Sequence, residues 1–350
     1  MNFHSKNDFG GRVNIKDVAR MAGVSISTVS RVINRSAYVN PEISQAVEKI
    51  IAETGYRPNP LAKELLRNKT NTIGVMLPRI DLGTFAAMFD GIVQVLTERG
   101  YGVMLANTRD EFVEELRYMD LFYEKRVDGV LFFGTAENPG YLPAIAKLRA
   151  PVVVVGQSGA YLGCSSVFLD SFNAAKAMVS HLIALGHQRI GCLAVADHDM
   201  NVGIERKRGY LAALAEHRIE FDPALLVTGT FEYVSGEEGA KALMSLADGA
   251  PSAIFTVTDR LAVAVAGWLQ RNGYRVPNDV SIACVDDPAL LSFCYPSITT
   301  MSFDYRLTGV RAGQLLIDAI EGASQGLVTE VVMPYTLQSR DSTRALKKAH

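Results

Sequence analysis

Three residues within six positions, Ile26, Ser27 and Arg31, carry side chains suited to the edges of base pairs. An isoleucine can pack on a thymine methyl, a serine hydroxyl can donate or accept, and the fork of an arginine matches the guanine edge. Around them Ser25, Thr28, Asn34, Tyr38 and Asn40 offer the hydroxyls and amides that hold phosphate oxygens and set register on a duplex. The chemistry this set could perform is recognition of double-stranded DNA.

Such a face needs a rigid helix beneath it. Asn14, followed three residues later by Asp17, opens a helix close to a capping box, and Ile15, Val18, Ala19 and Ala22 share one face at helical spacing. Gly23 ends it, because glycine enters the left-handed turn cheaply. Ser25 caps a second helix whose inner face is Val29, Val32 and Ile33, which leaves Ile26, Ser27, Ser30 and Arg31 outward. Asn40 and Pro41 start a third helix with an apolar stripe of Ile43, Ala46, Val47, Ile50 and Ile51, and Gly55 stops it. Residues 1–58 therefore read as a three-helix, helix-turn-helix domain, although any small helical bundle shares part of the pattern. Residues 1–70 hold eleven Lys and Arg against six Asp and Glu, a net of +5, while the whole chain is −2, so the rest is acidic. A basic head on an acidic body is the charge footprint of a nucleic-acid binder.

The run Asp17-Val18-Ala19, Ala22-Gly23-Val24-Ser25, Thr28-Val29-Ser30-Arg31-Val32 and Asn34, with Gly55-Tyr56-Arg57-Pro58-Asn59-Pro60 after it, resembles the signature of the LacI/GalR (lactose/galactose repressor) family of bacterial transcription regulators. The resemblance extends over nearly the whole chain. It implies a hinge helix and linker at 59–71, in which Leu65 wedges into the minor groove, with Ala62 counted among the DNA contacts. An apolar Leu66 beside Leu65 departs from the usual family pattern. The resemblance further implies a homodimer on a pseudo-palindromic operator, released or retained by allostery through a small-molecule effector.

From Thr72 onward short β-branched runs alternate with helical segments. Residues 73–77, 102–105, 129–133, 152–155, 190–194, 253–256 and 280–285 read as buried parallel strands. Helices are expected at 85–99, 112–125, 174–185, 208–217, 236–247, 261–272 and 307–321. The fold class is α/β: a doubly wound, two-lobe effector domain over 72–340, shared with periplasmic sugar-binding proteins. Lobe 1 is expected at about 72–167 and 299–328, and lobe 2 at about 168–296 and 329–340.

Doubly wound lobes bind ligands at the carboxyl ends of their strands. Asp286, Asp287, Thr258 and Asp259 follow such ends directly; Arg206 and Phe231 lie in or just after the loops beyond them. The family resemblance makes Arg206 the ligand-gripping arginine, Asp286 the hydroxyl acceptor and Phe231 the stacking aromatic. Thr258 stands where asparagine is common in the family. Phe85, Asn107 and Asp170 complete the candidate effector set from the first lobe and hinge region. A carboxylate and a guanidinium reading vicinal hydroxyls, under an aromatic ring, suit a sugar or sugar derivative; a purine or phosphosugar stays open.

The composition excludes other classes. The chain is 48% hydrophobic, yet no stretch approaches the ~18 consecutive apolar residues of a membrane span, and the first residues lack an apolar signal core. The expectation is a cytoplasmic protein with no membrane partner. Cys164, Cys192, Cys284 and Cys294 lack metal-like spacing and read as reduced core residues. No dinucleotide, phosphate-loop, nucleophile-elbow or zinc-protease motif occurs, so no catalytic residue, cofactor or metal is expected. His187, between a helix and a strand, reads as a structural hydrogen bonder. The tail 343–350 has no leucine heptad, which argues against a tetramer built by a C-terminal bundle. An enzyme and an exported sugar-binding module are the competing classes; turnover of a sugar would favour the first, and failure to bind any duplex the second.

Overall fold

The computed structural model describes residues 13–56, 69–323 and 326–346. The chain divides into two units, Met1–Thr70 and Asn71–His350. The expected hinge contacts Ala62 and Leu65 lie outside the described residues.

The first unit holds α1 (Ile15–Ala22), α2 (Ile26–Asn34) and α3 (Pro41–Thr54). Asn14 Oδ1 accepts from the backbone N–H of Lys16 at 2.9 Å and of Asp17 at 3.3 Å, while Asp17 Oδ2 accepts from the Asn14 N–H at 3.1 Å. The capping box is thus closed, and it satisfies donors that the first turn leaves orphaned. Gly23 has φ 65°, the left-handed turn that aims α2 away from α1. Val18, Val29 and Val47, one from each helix, have no exposed surface, and Tyr56 packs beside them. So small a core is only marginally stable, and each cap, worth about 1 kcal/mol, is a large share of its stability.

The second unit opens with β1 (Thr72–Leu77), α4 (Gly83–Glu98), β2 (Gly102–Asn107), α5 (Phe112–Lys125) and β3 (Gly129–Phe133). It continues with α6 (Tyr141–Leu148), β4 (Val152–Gly156), β5 (Ser165–Leu169) and α7 (Ser171–Ala184). Next come β6 (Ile190–Val195), a π-helical turn Met200–Glu205, α8 (Arg206–Glu216), β7 (Leu226–Gly229), α9 (Tyr233–Met244) and β8 (Ala253–Thr256). The chain ends through α10 (Asp259–Arg271), β9 (Ser281–Val285), α11 (Leu290–Phe293), β10 (Thr299–Phe303), α12 (Tyr305–Ile320), β11 (Glu330–Met333) and β12 (Tyr335–Gln338). The strands form two six-stranded sheets, ordered β11-β5-β4-β3-β1-β2 and β12-β10-β9-β8-β6-β7. Every pairing is parallel except β10 with β12. Strands β3 and β9 are buried along their whole length, as expected of parallel strands covered by helices on both faces.

The lobes exchange chain differently from the sequence expectation. Residues 299–303, expected in lobe 1, pair with β9 and belong to lobe 2; residues 330–333, expected in lobe 2, pair with β5 and belong to lobe 1. The reason is local. Thr299-Thr300-Met301-Ser302-Phe303 has the burial of an inner strand and extends the second sheet before the chain turns back. The crossings therefore fall at Asp170, Asp304 and Pro334. Asp170 and Asp304 cap the helices that follow, accepting from the N–H of Asn173 at 3.2 Å and of Leu307 at 2.8 Å. After its crossing α12 lies against α4, and two glycines permit the approach. A Cβ on Gly309 would fall 1.8 Å from the Met88 carbonyl oxygen, and one on Gly91 2.1 Å from that of Arg306.

All four cysteines are free, and three are buried. His187 makes the expected structural bonds: Nδ1 lies 2.9 Å from Ser252 Oγ and Nε2 3.2 Å from the Arg344 carbonyl. Among the described residues no helix is long and apolar enough to cross a membrane, and no cluster of three His, Cys, Asp or Glu could hold a metal.

Candidate functional site

On the first unit, α2 turns Val29 and Val32 inward and leaves Ser25, Ile26, Ser27 and Arg31 exposed. Ile26 retains 44% of its surface. Ser25 Oγ accepts from the Thr28 N–H at 3.1 Å and lies 2.7 Å from Ser27 Oγ and 2.8 Å from Thr28 Oγ1. The three hydroxyls form one polar cluster at the start of α2, where the helix dipole also favours a phosphate. Tyr38 is 88% exposed in the turn before α3. Asn40 spends its side-chain oxygen on the Glu42 N–H at 2.9 Å. Asn34 folds back on its own helix, Nδ2 donating to the Ser30 carbonyl at 2.9 Å.

The second unit contains a cleft between the carboxyl ends of its two sheets, with about 820 Å³ of space counting its open mouth. Arg206, Phe231, Thr258, Asp286 and Phe85 all line it. Asn107 lines a neighbouring cavity that shares Arg79 and Phe231 with the first, and its Oδ1 is buried without a partner. Asp170 lines neither cavity; its carboxylate is spent on the cap of α7.

At the cleft floor Arg206 meets Asp286 in a fork: Nη1 donates to Oδ2 and Nη2 to Oδ1, both at 2.8 Å. Nη1 also donates to the Val257 carbonyl at 2.5 Å, and the Tyr305 hydroxyl donates to Asp286 Oδ1. Arg206 is 2% exposed and Asp286 5%. Burial works against the Arg206 charge, but the adjacent Asp286 carboxylate outweighs it and the guanidinium is held more firmly protonated than usual. Burial and the same carboxylate push the Tyr305 phenol well up. Asp286 has φ 81°, which turns its side chain into the cleft while its neighbour Asp287 turns away to pair with Arg340 at 2.7 Å. Two further carboxyls are pushed up to about 6: Asp199 by burial, and Asp259 by burial with the Asp286 charge added.

Contacts bridge the lobes around the mouth. Arg79 Nη2 donates to Glu232 at 2.8 Å, and Arg260 Nη2 donates to the Asp81 carbonyl at 2.7 Å and its carboxylate at 3.0 Å. The Met200 N–H donates to the Thr135 carbonyl at 2.7 Å, and His198 Nε2 lies 3.2 Å from Asp110. Arg79 also sits over the Phe231 ring, 5.7 Å from its centroid. Arg79, Asp110, Asp199, Asn201 and Tyr305 line the cleft without having been singled out from sequence. The strand-end rule reaches Arg79 and Asp110, which follow β1 and β2. Nothing local marks Tyr305, which a crossing of the chain delivers.

Residues 14–59 match the family model described as bacterial regulatory proteins, lacI family, and residues 179–343 match that of a periplasmic binding protein-like domain. The chain is 32% identical over 337 residues to the HTH-type transcriptional repressor CytR of Escherichia coli (strain K12), covering 95% of this chain and 96% of that protein. Among solved structures it is similar to the transcriptional regulator CelR–cellobiose complex, with a TM-score of 0.70 and 31% identity over 95% of this chain and 100% of that one. The lac repressor dimer bound to operator and the anti-inducer ONPF matches with a TM-score of 0.85 and 25% identity, covering 96% of this chain and 100% of that one.

Proposed function

We propose a working cycle for this chain, which belongs to the lacI family of bacterial regulatory proteins and is a DNA-binding transcriptional regulator, not an enzyme. It represses transcription in the cytoplasm by holding a pseudo-palindromic operator as a homodimer. A small molecule in the cleft of the second unit, a sugar or sugar derivative, sets its affinity for that operator. The observation that carries the reading is the capped α2 that leaves Ile26, Ser27 and Arg31 exposed together. A rigid helix with a base-reading set on one face has no packing reason to keep it bare.

Two further observations support the assembly and the effector. Phe293 and Tyr295 keep 85% and 92% of their surface, with Leu290 at 51% beside them, so lobe 2 carries an exposed apolar patch of the kind that marks a partner surface. A twofold dimer would bury the patch against its copy and present two heads to two half-sites, and the similar lac repressor structure is a dimer bound to operator. The cleft places a paired carboxylate and guanidinium beside an aromatic, the chemistry of hydroxyl recognition, and the similar CelR structure is a cellobiose complex.

The test is selection of duplexes from a random pool by the full chain. The enriched sequence is expected to contain two inverted half-sites. Arg31→Ala should lower affinity for it about 5- to 150-fold, the equivalent of about 1–3 kcal/mol at one base, and leave random duplex within about twofold. Equal losses on both would reduce Arg31 to a backbone contact.

A further inference from the structure

The loop that leaves β6 grips lobe 1 at three strand ends in turn. His198 Nε2 lies 3.2 Å from Asp110 Oδ2, in the loop after β2. The Met200 N–H donates to the Thr135 carbonyl after β3 at 2.7 Å, and Asn201 Nδ2 donates to the Gly156 carbonyl at the end of β4. Asp110 Oδ1 accepts from Thr135 Oγ1 at 2.5 Å, so two of the three contacts meet one connected piece of lobe 1. Its carboxylate is presented from left-handed backbone, φ 57° at Arg109 and 63° at Asp110, a conformation that such residues adopt at a cost and that recurs at functional sites. The gripping loop is itself folded hard. Asp199 Oδ1 accepts from the Val202 N–H at 2.7 Å, and a Cβ on Gly203 would fall 2.1 Å from the Ala196 carbonyl oxygen. The loop then runs through the π-helical turn directly into Arg206, with little slack to absorb a change in its grip.

Two groups at this seam change charge near neutral pH, and both changes act in one direction. A histidine is the side chain that ordinarily titrates between about pH 5 and 8. The His198 side chain is 58% exposed and open to solvent protons, while that of Asp110 is 17% exposed. Protonated, His198 makes a charge-assisted bond to Asp110; neutral, it loses that attraction. Asp199 carries a like charge toward the same Asp110 from lobe 2, and it is only 8% exposed. Burial, with the Asp110 charge added, pushes the Asp199 carboxyl up to about 6 against the pull of Arg206 and His198. Parting the lobes removes Asp110 and part of the burial, so closing them takes up protons. The remaining charges around the seam are Arg109 beside Asp110 and Glu115 behind it in lobe 1, and Asp197 held by Lys207 and Arg206 held by Asp286 in lobe 2. Arg79, Asp81 and Arg260 stand at the mouth, and Asp259 on the floor has Asp286 and Arg206, both of lobe 2, as its charged neighbours. The arginine pairs at the mouth join groups that ordinarily keep their charges from about pH 5 to 8.

Resting on the reading of the cleft as the effector site, we propose that this seam is a proton-operated clasp. Protonation of His198 and Asp199 draws lobe 2 onto Asp110 and closes the lobes, and loss of both protons loosens them. Proton concentration is thereby a second input to lobe closure, beside the effector.

Hydrogen exchange of the full chain, with neither ligand nor duplex present, tests the clasp. The Met200 N–H bonds across the seam, so its exchange, corrected for the intrinsic rate at each pH, reports how often the lobes part there. The amides of β9, inside lobe 2, are the reference for opening of the lobe itself. A carboxyl that moves from its ordinary 3.8 with the lobes parted to about 6 with them together gives about fourfold more protection at pH 5.5 than at pH 7.5. The Met200 N–H is expected to gain about that factor or more, and the β9 amides are not. Asp199→Asn, whose amide oxygen can still accept from Val202, should raise protection at pH 7.5 and cut the pH dependence to about twofold or less. His198→Gln should lower protection at pH 5.5 and leave it within about twofold at pH 7.5. The proposal is overturned if protection in the parent protein is equal at the two pH values or falls in acid, or if His198→Gln/Asp199→Asn keeps the parent's dependence. Should a variant fail to fold, the pH series on the parent protein decides alone. Duplex binding measured on the same preparation keeps the two readings apart. A protein with an acid-strengthened seam that holds no duplex keeps the clasp and loses the regulator reading. One that holds its operator without proton linkage remains a regulator and loses only the clasp.

Discussion

Replacing Asp286 by asparagine tests whether the cleft floor is a preformed ion pair. The choice of asparagine follows from the backbone: Asp286 has φ 81°, a region asparagine tolerates better than alanine, so the loss reports the charge rather than strain. The variant keeps an acceptor for Tyr305 but removes the anion that faces a guanidinium only 2% exposed. Breaking one side of a buried pair costs about 3–5 kcal/mol, because the remaining charge cannot reach water. The retained bond to the Val257 carbonyl disperses only part of that charge. At about 2–4 °C per kcal/mol for a unit of this size, the melting temperature should fall by about 6–20 °C. Arg206→Met should cost a comparable amount, since it strands the carboxylate. The double variant Arg206→Met/Asp286→Asn carries neither charge and should melt above Asp286→Asn. Calorimetry on the four proteins closes the cycle. Below its melting temperature, Asp286→Asn should still bind the selected duplex and no longer respond to the ligand. The reasoning fails if Asp286→Asn melts within about 2 °C of the parent protein, or if the two single losses simply add in the double variant, since contacting partners must couple.

Three other outcomes follow from the same geometry. Gly309→Val pushes a side chain into the Met88 carbonyl and should lower stability by about 3 kcal/mol or more, whereas Gly83→Ala, with nothing within 4 Å, should stay within about 0.5 kcal/mol; parallel urea melts compare the two. Asp199 and Asp259 are raised to about 6 in the folded state, so each binds a proton more readily folded than unfolded, and its contribution to stability is greatest below pH 4 and is lost as pH rises through 6. The buried His181 and His187, held below their usual range, act in the opposite sense, so the readout is the difference between parent and Asp199→Asn/Asp259→Asn, which should move in favour of the parent as pH falls from 7 to 5. Tyr295→Asp places a charge in the exposed patch of lobe 2 and should convert a sedimenting dimer to monomer with ligand affinity intact; a dimer of unchanged stability would move the interface elsewhere.

What the sequence made legible follows the range of the forces involved. Helix cores were readable because their periodicity is local, and the starts of α1, α2 and α3 were readable from their caps Asn14, Ser25 and Asn40, but several starts in the second unit were not. α7, α8, α10 and α12 begin two or three residues ahead of the periodic stretch, because Asp170, Asp304 and the π-helical turn before Arg206 extend the first turn with polar residues. β5 escaped notice because its first two residues are serines, of which Ser166 is nevertheless wholly buried. The edge strand β11 escaped because three of its four residues remain accessible, so it has no buried pattern to read. In the cleft, the strand-end rule brought Arg206, Thr258 and Asp286 to one site. It could not show that Arg206 and Asp286, 80 residues apart, satisfy each other before any ligand arrives. That fact needs three dimensions, and it changes the chemistry: the pair becomes a neutral floor with Nε left over rather than two free charges.

The placement of these contacts on the two lobes accounts for how a ligand acts on lobe closure. The pairs that clasp the mouth are weak, because Asp81 and Glu232 remain 53% and 58% exposed, and exposed pairs contribute about 0–1 kcal/mol each. The strong interaction, Arg206 with Asp286, lies wholly within lobe 2 and is indifferent to closure. Neither can therefore fix the equilibrium between open and closed lobes by itself. A ligand shifts that equilibrium only through contacts it makes better in one state, and driving it from 1:99 to 99:1 takes about 5.5 kcal/mol of difference. A molecule bound by hydroxyls to lobe 2 alone would gain the same in both states and move nothing. One that also packs on Leu82, Phe85 and Met88 realises that burial only when lobe 1 is in place, and each fully buried apolar side chain is worth about 1.5–3 kcal/mol. Contacts that a ligand makes with lobe 1, more than the ion pair within lobe 2, are what can turn binding into a change of state.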